Sequence, residues 1–342
     1  MKTITKILLA SLLFVLLVPA CRQKVTAPDD YVMAFYNLEN LFDTIDDPSI
    51  RDEEFLPDSK TPWNTERYQK KLENMSNVIA ALDSNQPVPI VGLCEVENKT
   101  VLHDLVNTPK LKPADYSIIH YNSPDERGID VAMLYRDQFF TPLQSEPISV
   151  DFPFDTDNKT RDILYVKGMI AKDTFHLFVN HWTSRWGGRK ETDPHRAYIA
   201  EILKGITDSL FRIEESANIV IMGDLNDNPN DRSVADVLNA KMAEKNVRPK
   251  QLYNLSYNKF LEGEGTLYWK SWDMFDQIIV SSNLLKNKRM PYVSPKEQFI
   301  FKPDWIMFKP EEGKARPNRT KGRNYYGGYS DHLPVYIRLV VK

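Results

Sequence analysis

The sequence predicts an α/β fold in which a β-sheet sandwich is covered by helices and forms one domain. Nine short segments are rich in β-branched and aromatic residues and are bounded by turn residues, as is typical of strands. Only two segments show extended helical periodicity, and no repeat or internal linker interrupts the chain. Hydrophobic residues make up 42% of the 342 residues, which supports a large core and excludes a disordered or fibrous protein.

The elements follow one another along the chain with few helices between them. The first predicted helix covers residues 66–82, where Tyr68, Leu72 and Ile79 recur at helical spacing. The second is predicted to begin at Asp193, a favourable N-cap, with Pro194 in the first helical position. The predicted strands span residues 31–36, 89–94, 116–121, 129–135, 163–170, 174–179, 219–222, 275–280 and 333–341.

Charge and cysteine content exclude several classes of protein. The chain has 44 basic and 47 acidic residues, so no strong overall field attracts a polyanion, and nucleic-acid binding would need a local patch. The only cysteines are Cys21 and Cys94, which excludes a disulfide scaffold or a zinc ribbon. No feature implies a protein partner, and we expect a monomer.

The N-terminus has the pattern of an export signal. Lys2 and Lys6 precede an apolar run over residues 7–18, which is too short for a stable membrane anchor. The run ends in L-V-P-A-C, which resembles a bacterial lipobox whose Cys21 carries lipid. We therefore predict a signal peptide at 1–20, a lipid-anchored tether at 21–30 and a folded domain at 31–342. The expected location is the cell envelope, on the periplasmic or cell-surface side. Ordinary cleavage near Ala20 is the alternative.

Polar side chains stand at the ends or starts of six predicted strands. Because one strand begins beside the end of its antiparallel neighbour, all of them can line one edge of the sheets, where ligands commonly bind. The oxygen ligands in this set suit Mg²⁺, or alternatively Mn²⁺ or Ca²⁺, rather than zinc. Such a site suits phosphoryl chemistry, since a cation neutralises phosphate and a carboxylate accepts a proton from water. The set comprises Asn37, Glu39, Glu95, His181, Asp224, Asn226, Asp276, Asp331 and His332.

At these residues the chain resembles the endonuclease/exonuclease/phosphatase superfamily. The matching motifs occur in the family's order from residue 31 to the C-terminus: Y-N-L-E-N-L (36–41), G-L-C-E-V (92–96), R-G-I-D-V-A-M-L-Y-R (127–136), V-N-H-W-T-S (179–184), G-D-L-N-D (223–227), F-D-Q-I-I-V (275–280) and S-D-H-L-P-V (330–335). The resemblance implies a four-layer α/β sandwich of two packed mixed sheets with helices outside and the site at one edge.

The resemblance also implies roles for individual residues. Glu95 corresponds to the principal metal ligand, and Glu39 and Asp331 to its metal-binding partners. Asp224 corresponds to the group that orients or deprotonates water, and Asn226 to a group that holds it or the phosphate. By the same resemblance, His332 and His181 contact phosphate, and Asp276 fixes the tautomer of His332. Asn37 lies beside the metal and the substrate, and Arg161 matches a phosphate-contacting arginine more loosely.

Two segments near these motifs combine aromatic and basic residues, at 181–190 and 314–329. Cations and stacking rings together can follow a nucleic-acid strand, although such loops can equally pack on their own domain. The leading hypothesis is a secreted, metal-dependent phosphodiesterase acting as an endonuclease on DNA or RNA. The alternatives are a phosphatase or a sphingomyelinase-like lipid phosphodiesterase of the same superfamily, and a binding lipoprotein without catalysis. An additional segment, roughly 283–329, leaves the shape of the substrate cleft open.

Overall fold

The computed structural model describes residues 30–243, 247–286 and 290–341 of the chain. The predicted signal peptide, nearly all of the tether and Cys21 lie outside these residues. Among the described helices, none combines the length and apolar content that crossing a bilayer requires. The helices are α1 (Thr65–Ala81), α2 (Lys99–Val106), α3 (Arg189–Ile213) and α4 (Tyr257–Leu261).

Among the described residues, more lie in strands than in helices. The strands are β1 (Asp30–Leu41), β2 (Ile90–Val96), β3 (Ser117–His120), β4 (Asp130–Tyr135), β5 (Phe140–Ile148), β6 (Ile163–Ile170), β7 (Asp173–His181), β8 (Asn218–Asp224), β9 (Lys241–Met242), β10 (Leu252–Asn254), β11 (Leu267–Tyr268), β12 (Trp272–Asp273), β13 (Asp276–Ser281), β14 (Tyr292–Val293), β15 (Phe299–Ile300), β16 (Met307–Phe308), β17 (Arg316–Pro317) and β18 (Val335–Val340).

Two seven-stranded mixed sheets pack face to face, as the resemblance implies. The first sheet has the order β14-β18-β1-β2-β4-β3, with β15 also paired to β18. The second has the order β5-β6-β7-β8-β13-β10-β9. Two further two-stranded ribbons, β11-β12 and β16-β17, lie outside these sheets. The α/β sandwich predicted from the sequence is confirmed.

Alternation along the strands builds three hydrophobic clusters. In β1, Met33 and Phe35 join the cluster between the sheets, whereas Ala34 and Tyr36 face the opposite way, toward α1 and α2. A third cluster lies between the second sheet and α3. The layers are therefore helix, sheet, sheet and helix.

The sheets approach each other closely near the ends of β2 and β8. A Cβ atom added at Gly92 would lie 2.7 Å from Sδ of Met222 on the opposite sheet. That separation is shorter than real Cβ contacts, so a side chain at position 92 would require the Met222 side chain to move. Glu95 lies three residues beyond Gly92 and Asp224 two residues beyond Met222, so this contact is close to the predicted site.

Several local features differ from the prediction. The helix predicted to have Asp193 as its N-cap begins five residues earlier, after Gly188, and Thr192 N already donates to Gly188 O at 3.1 Å. Pro194 is therefore inside the helix, where it forgoes one backbone hydrogen bond. Strand β5 and helix α2 were not predicted. Strand β1 continues five residues beyond its predicted end, with positive φ at Glu39 and Asn40.

Candidate active site

The polar strand ends meet at one edge of the two sheets. Within the second sheet, Asp224 at the end of β8 is paired with His181 on β7 and with Asp276 on β13. In the first sheet, Asn37 on β1 is paired with Cys94 on β2, one residue before Glu95. The cluster predicted from the sequence therefore forms, with members from both sheets.

Asn37 joins the two sheets through its side-chain amide. Its Nδ2 donates to Oε1 of Glu95 at 3.1 Å and to Oδ2 of Asp224 at 3.0 Å, and the side chain is fully buried. The second oxygen of Glu95 accepts a bond from Asn40 N at 2.9 Å. Glu95 has a φ of 58°, a left-handed conformation that costs energy in a non-glycine residue and is typical of functional sites. Asn37 thus fixes the spacing of two carboxylates that would otherwise repel each other.

His332 and Asp276 form a buried ion pair. His332 Nδ1 lies 2.7 Å from Oδ2 of Asp276, and its Nε2 lies 3.7 Å from Oδ2 of Asp224. Burial alone would lower the pKa of His332, but the carboxylates of Asp276 and Asp224 outweigh it and raise that pKa well above its usual value. His332 is therefore protonated at neutral pH, with Nε2–H directed toward Asp224.

His181 approaches the same carboxylate from the other side. Its Nε2 lies 3.8 Å from both Glu95 Oε1 and Asp224 Oδ2. Burial, and then the charges of nearby arginines led by Arg161, lower its pKa well below the usual value, so the ring is neutral. Its buried Nδ1 has no hydrogen-bond partner among the described residues. Because an unpaired N–H would cost more than an unpaired lone pair, the proton belongs on Nε2.

Asp224 has the properties of a proton acceptor. Burial raises its pKa to about 7, with His332 opposing the shift and Asp276 adding to it. Its Oδ1 accepts a bond from Asn226 N at 3.0 Å. A carboxylate that titrates near neutrality is suited to general-base catalysis at that pH.

Two groups of three side chains place ligand atoms within 4.8 Å of one another in the described part of the chain: Glu95 with His181 and Asp224, and Asp224 with Asp276 and His332. In the second group the imidazole is protonated and cannot bind a cation. The first group offers two carboxylates on an edge that Glu95 keeps partly open, so the donors fit a hard divalent cation. His181 would add a nitrogen ligand only in its other tautomer.

Glu39 and Asp331 are outside both groups. The oxygens of Glu39 accept bonds from Arg319 Nε at 2.9 Å and from Thr320 N at 2.6 Å. Burial, and then repulsion from Asp331, raise the pKa of Glu39 to about 7. Asp331 pairs with Arg319 Nη2 at 3.2 Å. The structure therefore joins these two carboxylates to an arginine rather than to Glu95, and their metal-binding role stays a prediction.

Arg161 also has different contacts from those the resemblance implies. Its guanidinium pairs with Asp125 at 2.9 Å and donates to the backbone carbonyls of His181 and Trp182. Nδ2 of Asn226 donates to the same Trp182 carbonyl at 3.0 Å. Two guanidinium donors thus hold the backbone around His181, and the phosphate-contacting role of Arg161 stays a prediction.

An open cavity of about 850 Å³ lies beside the carboxylates and includes Asn226 and Asp331 in its lining. We call it the aromatic groove. Both segments singled out in the sequence contribute to it, together with residues of the ribbons β11-β12 and β16-β17, so the additional segment forms part of its wall. Its defining residues are the aromatic Trp186, Tyr268, Trp269, Phe275, Phe308 and Tyr326 and the basic Arg185, Arg316 and Arg319.

Several supporting residues could not be identified from the sequence. Lys71 lies in the helix predicted at residues 66–82, yet it is 1% exposed and bonds to the 314–329 segment. Asp227, the last residue of the G-D-L-N-D motif, is buried between Arg185 and Arg196, at 3.0 and 2.8 Å. Only its place in that motif could have indicated its importance.

Comparison with known proteins agrees with this geometry. The model of the endonuclease/exonuclease/phosphatase family matches residues 32–341. A search of curated protein sequences returns no significant match.

Solved structures share the fold at low sequence identity. A humanised TDP2 of D. rerio is 15% identical, with a TM-score of 0.56 over 91% of this chain and 99% of that one. A mannosyl-6-phosphatase of Bacteroides thetaiotaomicron is 17% identical, with a TM-score of 0.55 over 91% and 99%. A functionally unknown protein of Enterococcus faecalis is 12% identical, with a TM-score of 0.54 over 91% and 100%. These similarities concern the fold, while the family match shows that the chain belongs to the endonuclease/exonuclease/phosphatase family.

Proposed function

We propose that this protein is a divalent-metal-dependent phosphodiesterase that cleaves nucleic acid as an endonuclease. The observation that supports it most strongly is the convergence of Glu95, Asp224 and the Asp276–His332 pair at one sheet edge, next to the aromatic groove. Family membership supports the coarser statement of a phosphoester hydrolase that uses a divalent metal.

The residues divide the reaction between them. Glu95, whose carboxylate Asn37 holds in place, would hold the cation, which neutralises phosphate charge when bound. Asp224 accepts the proton of the attacking water, because its pKa lies near neutrality. His332 donates from Nε2 to a phosphate or leaving-group oxygen, and Asp276 keeps its tautomer and its charge. His181, neutral and protonated on Nε2, donates to a second phosphate oxygen.

The aromatic groove supports a polynucleotide as the substrate. Trp186 and Trp269 are 92% and 76% exposed, which leaves their faces free to stack on bases. Stacking of one base on an aromatic ring contributes roughly 1–3 kcal/mol. Arg316 and Arg319 supply the positive charge that a phosphate backbone requires. One structure with a similar fold is D. rerio TDP2 complexed with single strand DNA product, and we extend that substrate class to this chain.

A phosphatase is the second candidate, because the same centre can act on a monoester and a mannosyl-6-phosphatase shares the fold. A substrate panel separates the two. Closed circular plasmid, RNA, bis(4-nitrophenyl) phosphate and mannose 6-phosphate are incubated with and without Mg²⁺. We expect nicking of the plasmid, which has no ends for an exonuclease. Release of inorganic phosphate from the monoester alone would favour the phosphatase.

His332→Ala is the inactive control for this panel, and His103→Ala is its matched control, since His103 is an exposed histidine on α2. Plasmid nicking that survives in His332→Ala while its turnover of bis(4-nitrophenyl) phosphate is lost would indicate a contaminating nuclease. If no ester is cleaved with any divalent cation, the proposal is wrong and a binding lipoprotein becomes the better hypothesis.

We also propose that the protein is exported and carries lipid on Cys21. The charged start, the short apolar run and the lipobox-like ending support this location. Labelling of growing cells with an alkyne fatty acid should mark the wild type and leave Cys21→Ser unmarked. Labelling of both proteins, or of neither, contradicts the proposal.

A further inference from the structure

The loop at residues 318–329 forms one wall of the aromatic groove. Asn318, Arg319 and Tyr326 line the cavity from this loop, and Asp331 follows two residues beyond it. The side chain of Arg319 is 38% exposed, so part of its guanidinium is accessible from the groove. An arginine in that position can contact an anionic part of a substrate.

Three side chains from outside the loop hold it in place. On α1, Lys71 Nζ donates to Thr320 Oγ1 at 2.6 Å and to the Tyr329 carbonyl at 2.8 Å. One turn further along α1, Asn74 Nδ2 donates to the Gly328 carbonyl at 2.6 Å. On β1, Glu39 accepts bonds from the backbone N–H of Thr320 and from Nε of Arg319. The loop is thus fastened at both ends, to the first sheet and to the helix behind it.

Lys71 is unusual because it is a charged group 1% exposed whose two hydrogen bonds go to neutral oxygens. Burial lowers the pKa of Lys71 to about 8, and the nearby carboxylates of Glu39 and Asp331 oppose that shift. When both carboxylates are ionised, Lys71 and Arg319 balance them. Without Lys71, the same site would carry a net negative charge beside the groove and would disfavour a phosphate.

We call Lys71, Asn74 and Glu39 together the clamp. It is also connected to the catalytic edge. Glu39 lies two residues after Asn37 on β1, and its backbone N–H donates to Oδ1 of Asn37 at 2.8 Å. The positive φ of Glu39 turns its side chain away from regular strand geometry, toward Arg319. One strand therefore fixes both the Glu95–Asp224 spacing and the position of Arg319.

We propose that Lys71 and Glu39 are positioning residues that set Arg319 as a binding site for a substrate phosphate other than the one that is cleaved. The inference rests on the proposed function and names a subsite within it. It requires that these residues affect substrates with several phosphates and leave a substrate with a single phosphate unaffected.

The test compares Lys71→Met with Lys70→Met, its neighbour on α1, whose side chain is 48% exposed and pairs with Glu73. Two substrates are used with Mg²⁺: a short single-stranded oligonucleotide and bis(4-nitrophenyl) phosphate, which has one phosphate. For Lys71→Met we expect the KM of the oligonucleotide to rise about tenfold with kcat within about twofold, because a charge-supported binding contact is lost while the chemical step is kept. Lys70→Met should match the wild type on both substrates.

Arg319→Ala should show the same rise in KM. If Lys71 acts through Arg319, the Lys71→Met/Arg319→Ala double variant should be no worse than Arg319→Ala alone. Additive losses, or an equal loss on the one-phosphate ester, would overturn the inference and leave Lys71 as a purely structural residue.

A second pair of variants covers the case in which Lys71→Met does not fold. Thr320→Val keeps the shape of the side chain and removes the hydroxyl that Lys71 contacts, whereas Thr320→Ser keeps the hydroxyl. We expect Thr320→Val to weaken binding of a fluorescent oligonucleotide in EDTA about tenfold, and Thr320→Ser to restore it. Equal affinity of the two variants would contradict the clamp.

These measurements separate the two proposals. If the wild type cleaves neither substrate, the proposed function is wrong, and the EDTA binding assay still decides whether the clamp positions an anion site. If the wild type cleaves both substrates and Lys71→Met is unchanged, the proposed function stands and this inference fails.

Discussion

The end of β7 and the turn before β18 each place a buried histidine next to the same oxygen of Asp224, at 3.8 Å for His181 and 3.7 Å for His332. The two rings nevertheless differ in charge, since His332 is protonated and His181 is neutral. His332 Nδ1 is paired with Asp276 at 2.7 Å, and the pKa of His332 is raised. His181 Nδ1 has no partner among the described residues, Arg161 donates to the carbonyl of His181, and the pKa of His181 is lowered.

The shared carboxylate therefore does not decide the charge of either ring. What decides it is whether the second ring nitrogen has a charged partner. Nδ1 of His332 is paired with Asp276 on β13, whereas Nδ1 of His181 has no partner among the described residues and burial lowers the pKa of that ring. The base Asp224 thus lies between an acid, His332, and a neutral donor, His181. Four experiments break or sharpen this comparison, and we give them in order of expected effect.

Removal of the divalent cation should have the largest effect, because both histidines act on a phosphate whose charge the cation neutralises. We expect EDTA to abolish turnover of bis(4-nitrophenyl) phosphate and excess Mg²⁺ or Mn²⁺ to restore it. The measurement is a titration of activity against metal concentration. Full activity after exhaustive chelation would exclude a metal mechanism.

His332→Ala should come next. Loss of a proton donor lowers rates by roughly 10²–10⁴-fold, and we expect kcat to fall toward the upper end of that range. Because the change leaves the buried carboxylate of Asp276 without its partner, the unfolding midpoint should fall, while the circular dichroism at the assay temperature should stay that of the wild type. A kcat within about tenfold of the wild type would remove His332 from the proposed mechanism.

Asp276→Asn sharpens the comparison because it removes the charged partner of His332 Nδ1. Neither histidine then has a carboxylate on that nitrogen. We expect kcat at neutral pH to fall roughly 10²-fold. The carboxylate of Asp276 raises the pKa of His332. Without that carboxylate the pKa of His332 drops, so the ring is protonated only at lower pH. The pH profile of kcat should therefore shift its maximum to lower pH, and an unshifted profile would contradict this pairing.

His181→Asn should have the smallest effect of the four. Asparagine can still donate one hydrogen bond, so we expect a loss of about tenfold to 10²-fold in kcat. Since His181 is neutral, the alkaline side of the pH profile should keep its position. A shift there would mean that the two histidines have exchanged roles.

Much of the fold was predictable because strand ends in this protein are marked by polar residues. Strand β6 was predicted with its observed limits, Ile163–Ile170, since both faces are largely buried and the run is almost wholly apolar. Strand β5 was missed, because as an edge strand it is mostly exposed and contains Pro142 and Pro147. Helix α2 is only eight residues long, which is too short for a periodicity to emerge.

The candidate site was predictable in membership but not in partners. The sequence indicated that Asp224, Asp276 and His332 belong together, since each adjoins a strand. It could not indicate that Glu39 bonds to Arg319, because these residues are 280 positions apart and meet only through the folded loop. The burial of Lys71 likewise depends on that loop covering an otherwise exposed face of α1.

The tight fit at Gly92 has a mechanical consequence. Gly92 is on β2 with Glu95, and Met222 is on β8 with Asp224. A larger side chain at position 92 must displace the Met222 side chain and, where that side chain has no room to move, would shift the two strands relative to each other. Asn37 spans that gap with bonds of 3.0 and 3.1 Å and cannot follow such a movement. A methyl group added at Gly92 in the apolar interior would then change the distance between Glu95 and Asp224, several residues away. Packing between the two sheets therefore helps to set the spacing of the catalytic carboxylates.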